Sequence, residues 1–326
     1  MTQSPLARLT AGLPRTTSPL VRRLAVASLV SQIGIVVTGG AVRLTASGLG
    51  CPEWPRCTAD SIVTTPEMGF HGVIEFGNRL LTFVLVIIAV AMIVSVLGLR
   101  RERKDLFRLS VGLFLGIPAQ AVIGGITVWT GLNPWVVGLH FIVSMILVGL
   151  AMVLVNRARL SQQQYDARRV SAAPRHLRHV LVAATVLTSV AIVLGVVVTG
   201  SGPHAGDHGA ARNGPDPMLM TRLHALPVYL LVAVVAVALV VAYRAGVHAK
   251  LRKALVLFGG IVLLQGVIGY AQHFLGLPVV LVALHMLGAS LLMAAAVHAQ
   301  YTGTTRRALP GTPAGVGETS RAVHAY

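Results

Sequence analysis

Three histidines and one asparagine stand at matched places in a repeated pattern, and their types bound the chemistry. Gln120-Ala121-Val122-Ile123-Gly124 runs to Leu139-His140, and Gln265-Gly266-Val267-Ile268-Gly269 runs to Leu284-His285 over the same length, an offset of 145 residues without a gap. His224, moved back by 146, meets Asn78. Four equivalent positions thus carry Asn78, His140, His224 and His285. An imidazole inside an apolar span is costly unless something binds it. Haem iron is the ligand that best explains a facing pair. Singly, each histidine reads as a structural group bonded to a backbone carbonyl; the repeat and the common depth argue for ligands.

His224 and His285 come from two different helices, which suits a six-coordinate, electron-transferring haem. His140 is set against Asn78, whose neutral amide is a poor iron ligand. Near it lies Glu75, the single acidic residue in any predicted span. His71, Glu75 and Asn78 follow at spacings of four and three, so one helix face can carry all three. Two readings of Glu75 stay open. It forms an ion pair with Arg79 that fastens the helix end, or it handles protons and charge beside a bound substrate.

The elements that must position these residues are long and apolar. Hydrophobic residues make up 55% of the chain and charged ones 11%. Apolar stretches of membrane-spanning length recur near 24–43, 75–99, 107–128, 134–156, 179–200, 222–243, 254–275 and 278–300. They are continuously apolar rather than alternating, which argues against a β-barrel. The fold class is all-α integral membrane, with eight transmembrane helices as two tandem, pseudo-symmetric four-helix bundles able to hold a flat cofactor. A cytoplasmic segment 1–23 leads into a first half, 24–156; a linker, 157–178, leads into a second half, 179–300; the tail 301–326 is expected to be disordered.

Charge orients the bundles. Of the 27 Lys and Arg, 22 fall in segments on one side, and Arg43, Arg56, Arg79, Arg212 and Arg222 fall on the other. The positive-inside rule puts both termini in the cytoplasm and the histidines in the outer half of the membrane. The basic residues are spread over five segments, which argues against nucleic acid as a partner and for contact with anionic lipid. The apolar run after residue 23 has the length of a full span, so it reads as an uncleaved first helix. Cys51 and Cys57 lie in the outer loop between spans 1 and 2, where disulfides persist. A disulfide is the favoured reading; a reduced pair holding a metal is the alternative, without a local His to complete it.

The order of several motifs resembles the haem A synthase family, membrane enzymes that convert haem O to haem A. The segments are Val37-Thr38-Gly39-Gly40-Ala41-Val42-Arg43-Leu44-Thr45, Gly48-Leu49-Gly50-Cys51-Pro52, Ile74-Glu75-Phe76-Gly77-Asn78-Arg79-Leu80, Gly124-Gly125-Ile126-Thr127-Val128 and Leu139-His140. Thr199-Gly200-Ser201-Gly202-Pro203-His204-Ala205-Gly206-Asp207, His224-Ala225 and His285-Met286 complete the set.

The resemblance implies a haem b held by His224 and His285 in the second half. It implies a substrate haem O in the first half, served by His140, with Glu75 essential to oxidising a porphyrin methyl group to a formyl group. Two successive hydroxylations to a geminal diol, which loses water, would give haem A for cytochrome oxidase. It implies Cys51–Cys57 as a loop disulfide, a farnesyltransferase that makes haem O as upstream partner, and an electron donor; a homo-oligomer stays open. The composition fits a bacterial plasma membrane. One departure is Asn78, where the family pattern has histidine, so either His140 alone holds the iron or His71 reaches in. Arg43, Arg79 and Arg222 at outer helix ends are candidates for the haem propionates, or plain interfacial anchors. His204 is a candidate cap for the second haem, whereas His208, His273 and His298 read as loop or interfacial residues. A di-haem, quinol-linked electron carrier and a non-enzymatic transporter are the competing classes.

Overall fold

The structure, a computed structural model, describes residues 18–166, 169–170, 173–304 and 306–307. Eight long helices dominate it: α1 Pro19–Leu44, α2 Gly69–Leu97, α3 Lys104–Trp129, α4 Pro134–Ala158, α5 Arg175–Ser201, α6 Pro217–Arg244, α7 Ala249–Phe274 and α8 Val279–Thr304. All eight are long and apolar enough to cross a membrane, a 3-10 turn at Pro66–Met68 preceding α2. The chain is therefore an all-helical, multi-pass membrane protein, as its sequence implies.

Local chemistry sets the helix starts. Ser18, Asn133 and Asp216 each accept a bond from a backbone N–H of the first turn, and each is followed by proline at the first helical position. Ser18 and Asp216 lie well before the apolar runs at 24 and 222, so α1 and α6 begin earlier than hydropathy alone places them. At 25 to 29 residues the helices of the four hairpins run about 38–44 Å. That exceeds a hydrocarbon core of about 30 Å, so their ends reach the headgroup zones.

The packing closes two rings. α1, α2, α3 and α4 pack in order, with α4 back against α1; α5 to α8 do the same. The bundles meet through α1, α4, α5 and α8. One core gathers Leu177, Leu181, Leu231, Leu255 and Phe258 of the second bundle, and another joins Val21, Met92, Leu113 and Leu154 of the first. Ile87 and Val267, each 67% exposed, face outward where lipid must cover them.

The hairpins that carry His140 and His285 turn identically. Gly131 and Leu132 have φ of 58° and 59°, and Gly276 and Leu277 have 74° and 61°. Leu132 N–H bonds Thr127 O at 2.8 Å and Leu277 N–H bonds Gln272 O at 2.7 Å, the wide closing bond of a left-handed helix terminus. Equal turns explain how the gapless repeat keeps its register.

Two sequence-derived boundaries change. α8 continues to Thr304, and Arg306–Arg307 pairs antiparallel with Arg169–Val170, Arg169 opposite Arg307. The start of the expected disordered tail is therefore ordered, tied back to the linker; the rest of 301–326 and the segment 1–17 lie outside the described residues. The linker also holds a short helix, Gln162–Asp166.

Candidate metal-ligating sites in the two bundles

In the second bundle, α6 and α8 bring His224 and His285 together, with ring centroids 6.5 Å apart and planes at 79°. A metal bound by one nitrogen of each ring needs bonds of about 2 Å on either side; with half a ring added at each end, the centroids fall about 6–6.5 Å apart. The pair fits that span. α5 orients the first ring: Ala191 O lies 2.9 Å from His224 Nδ1. This bond favours the tautomer that presents the other nitrogen as ligand. His285 Nδ1 is buried without a protein partner, the kind of orphan that a bound group relieves.

Glycines shape both rings' beds. A Cβ on Gly195 of α5 would lie 3.1 Å from His224 Cε1, and one on Gly269 of α7 would lie 3.5 Å from His285 Cε1. Gly124 of α3 stands to His140 as Gly269 stands to His285, at 3.4 Å. His140 Nδ1 is likewise buried and unpartnered. Gln120 fastens that turn of α4, donating to His140 O at 3.1 Å and to Ser144 Oγ at 2.5 Å.

Asn78 is turned to α1, where Thr38 Oγ1 donates to its Oδ1 at 2.7 Å. The motif Val37-Thr38-Gly39 aligns with Val198-Thr199-Gly200, which makes Gly34 the counterpart of Gly195. No atom lies within 4 Å of a Cβ built on Gly34. The first bundle thus has room beside α1 for an imidazole that its sequence does not supply. His71 does not supply it either: exposed at the start of α2, its Nδ1 meets Ser47 Oγ of the outer loop at 2.9 Å.

Glu75 forms the ion pair with Arg79 that its spacing allows, and it bonds the outer loop as well. Its Oε1 accepts from Arg79 Nη2 at 2.5 Å, and its Oε2 accepts from Cys51 N–H at 2.6 Å. Glu75 is 6% exposed. Arg79 also donates to the carbonyls of Cys51, Glu53 and Arg56 at 3.1, 3.0 and 2.9 Å. Its guanidinium fastens the outer loop. Cys51 and Cys57 are joined by a disulfide. The loop they close presses Trp54 onto Gly125 of α3, where any Cβ would collide with the indole. Trp129 Nε1 donates to Trp54 O at 3.1 Å. Adjacent glycines of α3 therefore face His140 and the disulfide loop.

The remaining candidates separate clearly. Arg43 donates to His204 O at 2.7 Å and Thr199 O at 3.0 Å, so it clamps the halves together. Arg222 is exposed, two residues before His224. His204 Nε2 lies 3.0 Å from Leu277 O; His208 and His273 are exposed. His298 pairs with Asn156 Oδ1 at 2.7 Å at the far end of the bundles. Gly34, Gly195 and the Ala191 carbonyl escaped the sequence reading because α1 and α2, and α5 and α6, are joined by loops of unequal length.

Chemically, two imidazoles alone give a metal only two ligands. Among the described residues no group of three or more His, Cys, Asp or Glu forms a metal site. What fits such a pair is a metal that arrives with its own planar ligand set.

The model of the cytochrome oxidase assembly protein family COX15-CtaA matches residues 22–206. A "Heme A synthase" of Lysinibacillus sphaericus is 32% identical over 180 residues, 53% of this chain and 56% of the relative. Relatives of the same name from Exiguobacterium sibiricum and Listeria welshimeri are each 28% identical over 166 residues, 50% of this chain and 54% of theirs. The chain spans about half the length of the curated relatives it matches. The family segment contains Glu75, Asn78, His140 and the disulfide loop, and ends before His224.

Proposed function

The chain belongs to the COX15-CtaA family of cytochrome oxidase assembly proteins, and from that membership we propose that it is a haem A synthase. Its substrate would be haem O, and the reaction would oxidise one porphyrin methyl group to the formyl group of haem A by two successive hydroxylations and loss of water. The single observation that carries this reading is the join of Glu75 to the loop beside His140. A buried carboxylate in an apolar span is expensive, and here the disulfide loop and Arg79 hold it in place.

The first bundle would receive the substrate. His140 would hold its iron from α4; Gln120 and Gly124 fix the turn and bed of that ring. Asn78, an amide where the second bundle has His224, would leave His140 as the imidazole that the first bundle offers the substrate. Glu75, with lone pairs beyond its two bonds, would hold or move a proton near the reacting methyl. Trp54 and the ring closed by Cys51 and Cys57 would keep water from that side.

The second bundle would hold a resident haem b between His224 and His285, and the spacing of the two rings supports this. Bound there, haem b supplies single electrons from a donor to the oxidation. The chain's part is to set the ligands: Ala191 O fixes the His224 tautomer, and Gly195 and Gly269 admit the rings. The basic ends and both termini would face the cytoplasm, and the haems the outer half of a bacterial plasma membrane. A farnesyltransferase making haem O would act immediately upstream.

The test is expression in cells that make haem O but no haem A, followed by extraction and mass analysis of haems. Haem A or its hydroxymethyl precursor, absent from the empty-vector control, is the expected result. Unchanged haem O beside a well-folded, haem-loaded protein would reject the synthase reading.

A further inference from the structure

At the end of the first bundle away from Glu75, α3 and α4 part around an open cavity of about 570 Å3. Its rim is cationic. Lys104 and Arg108 project from the first turns of α3, and Arg157 from the last turn of α4. The acid among them, Asp105, is already matched: Arg103, itself fully buried, bonds both its oxygens at 3.2 and 3.4 Å, and Arg157 Nη1 stands 4.0 Å from its Oδ2. The rim is left with a surplus of positive charge.

The floor is apolar. Leu109 and Gly112 continue α3 inward, and Leu150 lies two turns inward of Arg157 on α4. Both helices thus run from cations to hydrocarbon in the same direction. Between Lys104 and Gly112 the rise is about 12 Å, the distance from a headgroup to the upper acyl chain. A Cβ on Gly112 would meet nothing within 4 Å, so the groove stays open there for want of a side chain.

We infer that this groove is a binding site for one anionic phospholipid, its phosphate on Lys104, Arg108 and Arg157 and its acyl chain along Leu109, Gly112 and Leu150. Cations at a membrane interface attract acidic headgroups in general; the cavity and its apolar floor make this a defined site. A free phosphate would use the rim and leave the floor without a role. The inference does not depend on the proposed oxidation.

The test uses the full-length, haem-loaded protein in detergent, with retained lipid read by native mass spectrometry. The probes are dioleoyl phosphatidylglycerol, dioleoyl phosphatidylcholine and inorganic phosphate. Wild type should retain one phosphatidylglycerol in preference to phosphatidylcholine. Lys104→Gln with Arg108→Gln should weaken that binding about 25-fold, roughly fivefold per cation. Gly112→Leu, which keeps every charge and has room to fold, should also weaken it, by filling the acyl path. Equal retention of both lipids, or wild-type binding by Gly112→Leu, would overturn the assignment. Displacement of the lipid by equimolar inorganic phosphate would do so too, by showing a site for the anion alone. Should the double variant fail to fold, Gly112→Leu decides the matter.

Discussion

The Glu75 carboxylate takes one bond from an arginine on its own helix and one from a backbone N–H across the outer loop. An ion pair four residues apart was legible from spacing. The loop bond was not, because the path of residues 51–57 is set by a disulfide and by Trp54 on Gly125, and no periodicity encodes such a path. The same holds for Arg79, whose carbonyl partners all lie in that loop. Asn78 was legible as a departure, and the structure adds the reason it is informative: open space beside Gly34. Asn78→His should therefore place a second imidazole on the substrate haem. The expected outcome is a low-spin, six-coordinate absorption spectrum. A high-spin spectrum with unchanged product would show that position 78 does not face the iron.

Among the elements, the eight helices were legible because hydropathy reports burial in lipid, whereas their ends were set by caps outside the apolar runs. The α3–α4 and α7–α8 hairpins were legible as a repeat because their turns have equal length and equal left-handed geometry. The α5–α6 contact was hidden by its long loop, yet it holds the tightest bed, Gly195 at 3.1 Å from His224 Cε1. A methyl there must push the ring aside, whereas at Gly269 or Gly124 it meets ordinary contact distance. Gly195→Ala should shift the haem b spectrum and midpoint potential, and Gly269→Ala should do so less. Gly260→Ala, with nothing within 4 Å, should leave both unchanged. Equal effects from all three would remove the glycine bed from the account. His285→Ala should abolish the bis-imidazole signature in an electron paramagnetic resonance spectrum; its survival would assign the ligand elsewhere.

For the whole molecule, the outer surface is one structure and not two lids. Arg43 of the first bundle donates to Thr199 O and His204 O of the second, and Gly48 N–H bonds Gly206 O at 2.9 Å. Leu132 packs against Ala205 and Ala210, and His204 meets Leu277 O. Residues 202–216 thus touch both repeated turns, an arrangement that a hydropathy profile of an outer loop cannot carry. Hydrogen bonds to a charged donor contribute about 1.5–3 kcal/mol each, so Arg43→Gln should lower the thermal midpoint in detergent and loosen haem in both halves. Loss confined to one haem would show that the halves are held independently.

The central claim is that the first bundle oxidises and the second supplies haem b, and Glu75→Gln tests it most directly. In cells that make haem O but no haem A, the variant should retain haem b with a wild-type low-spin spectrum, while haem A and its hydroxymethyl precursor fall by about 100-fold or more. Haem A at the wild-type level in Glu75→Gln, or loss of haem b together with product, would contradict that division.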